Sequence, residues 1–205
     1  MDTQSGYLLV VEDIPDILKL LDATLKFKGY RVLTARNGEE ALEVIQKERP
    51  LLVITDILMP KMDGFSLVHR LRIHSETRAI PVIFLSATYV APEDKAFALN
   101  IGATRFIEKP IDLEQFMQTI SELLKKGIPA SQEPLTEPDF YKGYRKRLQI
   151  KLDQKNAQIA RTERLLETLS EEEKLSFQAS LQMAIQEREE IQKLLNQIHE
   201  HFEKK

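Results

Sequence analysis

The chain contains no cysteine. Disulfides and thiolate metal sites are therefore excluded. Long apolar runs are missing too: none approaches the roughly 18 residues needed to cross a bilayer. The opening stretch MDTQSGY is polar and lacks an apolar targeting core. These absences predict a cytoplasmic protein with no membrane association. No sign of charge dominates: 29 Lys and Arg face 32 Asp and Glu, for a formal net charge of −3. That balance gives no reason to expect nucleic-acid binding over the whole chain. What is present is 205 residues, 42% of them hydrophobic. This suffices for one ordinary domain and something smaller.

Up to about Lys126, short apolar runs alternate with amphipathic stretches. YLLVVED is a strand without polar alternation, as in strands buried on both faces. IPDILKLLDATLKFKG is a helix, with Ile17, Leu18, Leu21 and Leu25 on one side and a stop at Gly29. The unit then repeats. RVLTA is followed by NGEEALEVIQKE, and LLVITD by a helix from about Gly64 to His74. IPVIFLSA precedes PEDKAFALN, which ends near Gly102, and RFIEKP precedes DLEQFMQTISELLKK. Five strand–helix units with short links predict an α/β fold with helices on both faces of a parallel sheet. The expected fold is a doubly wound, flavodoxin-like five-stranded sheet of order 2-1-3-4-5.

GIPASQEPLTEP, with three prolines and no periodicity, predicts a linker over 127–138. From Asp139 to Lys205 there is no proline and a single glycine, Gly143. Good helix formers dominate. Ser170 followed by Glu173 fits a capping box. The pattern predicts one helix from about Phe140 to Leu169 and a second from about Glu171 to Phe202. In the second, Phe177, Leu181, Ala184, Arg188, Ile191, Leu195, Ile198 and Phe202 form a heptad seam. The first has a weaker seam through Tyr141, Leu148, Leu152, Ile159, Leu166 and Leu169, broken by Lys155 and Thr162. Lys142, Arg145, Lys146, Arg147, Lys151 and Lys155 come early in the first helix, and Glu187, Glu189, Glu190, Glu200 and Glu203 late in the second. A hairpin would set these groups side by side. The division is thus 1–126, a linker, and a helical hairpin over 139–205 that acts as a coiled-coil-like interaction module.

The chemistry lies at the strand ends. In open parallel sheets, ligands bind at the carboxyl ends of the strands, where strand order reverses. The first strand ends in Glu12-Asp13 and the third in Asp56. Adjacent strands would bring these three carboxylates together. Such anions repel one another and raise each other's pKa unless a cation sits among them. Oxygen ligands without thiols favour a hard divalent ion, and Mg²⁺ suits few carboxylates plus waters. The fourth strand ends in the hydroxyl of Ser86, the fifth in the ammonium of Lys109. Cation, hydroxyl and ammonium around one carboxylate suit a phosphoryl group carried on it.

VVED, ITDILMPKMDG, FLSA and FIEKP occur in this order, each at a strand end. On these residues the chain, from about Ser5 to Lys126, resembles a receiver domain of two-component response regulators. The resemblance implies that Asp56 accepts a phosphoryl group from a histidine kinase. It implies that Glu12, Asp13, Asp56 and the backbone carbonyl of Leu58 hold Mg²⁺. Ser86 would hydrogen-bond a phosphoryl oxygen, with the small Ala87 beside it keeping the approach open. Lys109 would pair with another oxygen, and Lys109-Pro110 matches a cis peptide position. Phe106 matches an aromatic switch. Relatives often carry tyrosine there, so this ring must act by packing alone.

Phosphorylation adds charge and acceptor oxygens. Ser86 would move toward them, Phe106 would fill the vacated space, and the face of the fourth helix, fifth strand and fifth helix would change. The expected protein is a response regulator with no dedicated catalytic output beyond self-phosphorylation and dephosphorylation. Its receiver would govern homodimerisation through the C-terminal helices, or their binding to a downstream protein partner. Two alternatives stand beside this. The basic YKGYRKRLQIK could touch DNA in a transcriptional regulator, though hairpin charge pairing explains it more cheaply. His199 and His201 in IHEHFEKK could mark a phosphorelay intermediate, though no helix follows them. His69 and His74 are expected on the surface, and Asp63-Gly64 as a turn and helix start without catalytic role.

Overall fold

The computed structural model describes residues 6–126 and 134–203. It divides into two compact units, Met1–Thr136 and Glu137–Lys205. In the first, β1 (Leu8–Val11), β2 (Val32–Ala35), β3 (Leu52–Asp56), β4 (Val82–Ser86) and β5 (Arg105–Glu108) form one sheet of order β2-β1-β3-β4-β5. Every pairing is parallel. Between and after the strands run α1 (Pro15–Phe27), α2 (Gly38–Lys47), α3 (Gly64–Ile73), α4 (Pro92–Asn100) and α5 (Leu113–Lys126). The expected fold is the one observed.

Alternation along the strands builds two apolar layers. Leu8, Val10, Ile54, Ile83 and Leu85 pack with Leu21 and Leu25 of α1 and Phe116 and Ile120 of α5. On the other face, Phe84 of β4 meets Phe65 of α3 edge-on at 5.4 Å. Phe65 also meets Tyr89 and Phe97, each at 5.2 Å. Truncating a ring so placed costs about 3–5 kcal/mol.

Local chemistry sets the helix ends. Asn37 Oδ1 accepts from the amide of Glu40 and Asp63 Oδ1 from that of Ser66, capping α2 and α3. Proline opens α1 and α4. Gly29 (φ 90°) and Gly102 (φ 103°) follow those helices, at the stops expected from sequence.

One expectation fails on α3. His69 is buried rather than on the surface, whereas His74 is exposed. Buried positions on α3 include Phe65, Leu67, Val68, His69, Leu71 and Arg72, most of the helix circumference. The helix is enclosed on more sides than a single amphipathic stripe implies. Arg72 shows the same effect. Its Nε and Nη2 both donate to the carbonyl of Gly102, at 2.9 and 2.6 Å. Burial pulls its pKa down to about 10.

The second unit consists of α6 (Glu137–Leu166) and α7 (Glu171–Glu203), which pack together along their length as a hairpin. Phe140, Tyr144, Leu148, Lys151 and Ile159 are buried on α6, and Ala184, Ile191, Leu194 and Ile198 on α7. The α6 seam thus runs through Phe140 and Tyr144 rather than Tyr141, and takes in Lys151. Lys155 pairs with Glu187 of α7, as the charge pattern leads one to expect. Most of the stretch assigned to the linker, the side chain of Glu173 in the capping box, and those of His201, Phe202 and Glu203 lie outside the described residues. Among the described residues no helix is long and apolar enough to cross a membrane.

Candidate functional site

Strand register gathers the site. Val11 lies beside Thr55, so Glu12 follows at the level of Asp56. Asp56 lies beside Leu85, one residue before Ser86. Ser86 lies beside Glu108, one residue before Lys109. Four residues widely separated in sequence, Glu12, Asp56, Ser86 and Lys109, therefore share one sheet edge.

The ammonium of Lys109 is the hub. It donates to Glu12 Oε2 and to Asp56 Oδ2, each at 2.7 Å. Asp56 Oδ1 accepts from the amide of Ile57 at 2.6 Å, and Glu12 Oε1 from that of Ile14 at 3.3 Å. Glu12, Asp13 and Asp56 each offer one carboxylate oxygen, all within 4.8 Å of one another. Among the described residues this is the acidic group able to hold a metal ion.

The electrostatics are unbalanced. Three carboxylates meet one ammonium, leaving two negative charges in excess. The Glu12 side chain is 1% exposed and that of Asp56 13%. Burial pushes the Glu12 and Asp13 carboxyls up, and the charge of Asp56 adds to both. Burial also pushes Asp56 up, against the pull of Lys109. Burial alone would lower Lys109, but Asp56 and Glu12 outweigh it and hold the ammonium above its ordinary value. The donor set is all oxygen, and its excess charge fits a divalent cation.

Ser86 sits on the same edge but faces other partners. Its Oγ accepts from the amides of Thr88 and Tyr89, both at 3.2 Å. It is 1% exposed. Phe106 is half-buried on β5, Ala87 is exposed, and Lys109-Pro110 is cis. Leu58 is half-buried in the loop after β3.

Two supports of the site were not assigned a part from the sequence. A Cβ on Gly64 would lie 2.2 Å from the backbone oxygen of Asp56. Glycine is required there by close approach, and its amide donates to the carbonyl of Ile57 at 2.8 Å. The Asp-Gly pair was a visible signal, read only as a helix start. Tyr89 is 1% exposed, and its amide holds the Ser86 hydroxyl. Nothing in the sequence pattern marks it.

The site thus sits on a doubly wound parallel sheet of order 2-1-3-4-5, with an acidic trio and a lysine at its carboxyl edge. The profile of the response regulator receiver domain matches residues 8–121, and the chain belongs to that family. It is 38% identical over 127 residues to a probable transcriptional regulator ycf27 of Pyropia yezoensis, covering 62% of this chain and 51% of that one. It is 38% identical over 133 residues to the transcriptional regulatory protein GlrR of Escherichia coli, covering 65% and 29%. The chain thus spans about half or less of the length of these curated relatives. Among solved structures, the chemotaxis response regulator CheY4 of Vibrio cholerae superposes with a TM-score of 0.54 at 35% identity, covering 58% of this chain and 98% of that one. A receiver domain of a histidine kinase from Syntrophus aciditrophicus gives a TM-score of 0.56 at 34% identity, covering 65% and 99%. Two-component receivers take phosphoryl groups from histidine kinases. The helical hairpin lies beyond the family match.

Proposed function

We propose that this response regulator is phosphorylated on Asp56 by a histidine kinase, and that the modified receiver controls the C-terminal hairpin. One observation carries the reading: a carboxylate held at 2.7 Å by a lysine, with two further carboxylates alongside. An Asp56 oxygen attacks the phosphorus of a phosphohistidine. A P–O bond forms, the P–N bond breaks, and the imidazole leaves. Lys109 orients Asp56 beforehand and then meets the charge on the transferred group. Mg²⁺ held by Glu12, Asp13, Asp56 and the Leu58 carbonyl would supply charge neutralisation at the phosphoryl oxygens.

The switch follows from the Ser86 contacts. The Ser86 hydroxyl, which accepts from the amides of Thr88 and Tyr89, keeps its own proton to donate to a phosphoryl oxygen, and its displacement toward that oxygen would draw on those amides and shift the loop leading into α4. Phe106 then turns into the vacated space, and the α4–β5–α5 face changes shape. Homodimerisation through the hairpin is the simplest output: helices of 30 and 33 residues with one partner each leave apolar surface open. Phe177 and Met183 are 37% and 64% exposed.

The test is labelling with acetyl phosphate in Mg²⁺, read on a phosphate-affinity gel. Asp56→Ala should abolish the shifted band; an undiminished band in that variant ends the assignment. Molecular mass in solution with and without beryllofluoride then tests whether the receiver governs assembly.

A further inference from the structure

Among the described residues, the hairpin pairing of Lys155 does not extend to Lys142, Arg145 and Lys146. Lys142, Arg145 and Lys146 are exposed, and among the described residues no carboxylate lies within ion-pairing reach of them. They share one face of α6 at steps of three and four. That face lines an open groove of about 590 Å³, bounded by Tyr141 and by Ile150, which is 37% exposed. Below it the first acid on this side, Asp153, accepts from Gln149 at 3.1 Å. The result is a compact patch about 12 Å long in which three cations lie together between two apolar margins, Tyr141 and Ile150.

We propose that this face of α6 binds an acidic amphipathic helix of another protein. The charge calls for anions, and Tyr141 and Ile150 at the margins call for apolar side chains flanking them. A nucleic acid fits less well. Three phosphate contacts correspond to a salt slope of only about −2.7, against the six to ten contacts of strong duplex binders. A second copy of this chain fits less well too. The exposed acids described on α7, Glu189 and Glu200, are eleven residues apart, with exposed Lys193 between them and Gln182, Gln186, Gln192 and Gln197 around them. Among the described residues of α7 no equally dense acidic face is exposed. The patch needs no phosphorylation, so it stands apart from the assignment of Asp56.

Fluorescence anisotropy of the full unphosphorylated chain tests this. The probe is a labelled amphipathic peptide of three heptads of leucine and glutamate; a control carries glutamine for glutamate. The peptide is expected to bind, more weakly at about 200 than at 50 mM salt, and the control is not. The charge reversals K142E, R145E and K146E together should weaken binding at least about tenfold, and Ile150→Gln several-fold. All four positions are solvent-facing, and circular dichroism checks that helix content is kept. Unchanged affinity in the triple variant overturns the proposal. So does a random 20-bp duplex that binds more tightly than the peptide. A solution mass that doubles in the parent and reverts in the triple variant assigns the face to a second copy instead.

Discussion

The receiver and the helical hairpin each set a half-buried lysine against carboxylate, one with negative charge in excess and the other with matched charge. In the hairpin, Lys155 meets Glu187 one to one, with side chains 17% and 31% exposed. In the receiver, Lys109 serves Glu12 and Asp56 at once, with Asp13 beside them. A matched pair in a helix interface completes itself and fixes which side chains face each other. An unmatched trio does not complete itself: its burial raises all three carboxyl pKa values and leaves a standing demand for positive charge. The same ingredients therefore serve structure in one unit and ligand capture in the other. What separates them is the charge left over.

The largest test of this contrast is Asp56→Asn. It should eliminate labelling by acetyl phosphate and, in the absence of divalent ions, raise the melting temperature of the receiver, because one repelling charge is gone. Mg²⁺ should raise the melting temperature of the parent and do so far less in the variant. A lower metal-free melting temperature in the variant would show that the trio is not repulsive. Gly64→Ala should come next. Its Cβ has no room against the Asp56 backbone, so both receiver stability and labelling should drop, by calorimetry and gel shift.

In the hairpin, Leu148→Ala or Ile191→Ala should cost about 2–5 kcal/mol in urea unfolding followed by helical circular dichroism, with acetyl phosphate labelling intact. Lys155→Met alone should cost about 1–2 kcal/mol by stranding Glu187, while the Lys155→Met, Glu187→Met double should recover most of it. A double variant no better than either single would mean that the pair contributes more than mutual neutralisation.

A smaller effect sharpens the receiver side at high pH. Burial, aided by Glu48, pushes the Tyr7 phenol from 10.0 to about 12, although Arg31 opposes the shift. The folded state therefore keeps its proton above the pH at which the unfolded chain releases it. Stability associated with the phenol is intact below pH 10 and lost between about 10 and 12. Tyr7→Phe should flatten that decline in melts recorded across the window. Smallest of all, Lys26→Ala removes an exposed pair with Asp22 and should change stability by at most about 0.5 kcal/mol.

The receiver was legible because its signals are local and repeated. Unbroken apolar runs marked the strands, glycines marked the stops after α1 and α4, and each chemically active side chain fell at the last residue of a strand or within two residues after it. The hairpin was legible in outline for the same reason: leucine and charge recur at helical spacing. The seam shifted to Phe140 and Tyr144 because aromatic residues at neighbouring positions satisfy two registers equally, and only the partner helix chooses between them.

By itself, the sequence determined the order and type of the elements, and hence which residues end the strands, because periodicity and turn chemistry act over a few residues. Tertiary structure alone decided how charge is distributed among partners: that Lys109 bridges two carboxylates, that Ser86 rests on the amides of Thr88 and Tyr89, that His69 and Arg72 are enclosed, and that Lys142, Arg145 and Lys146 are exposed. Those outcomes depend on distances of a few ångströms between segments far apart in the chain. Electrostatic and desolvation energies vary steeply over such distances, and no local pattern records them.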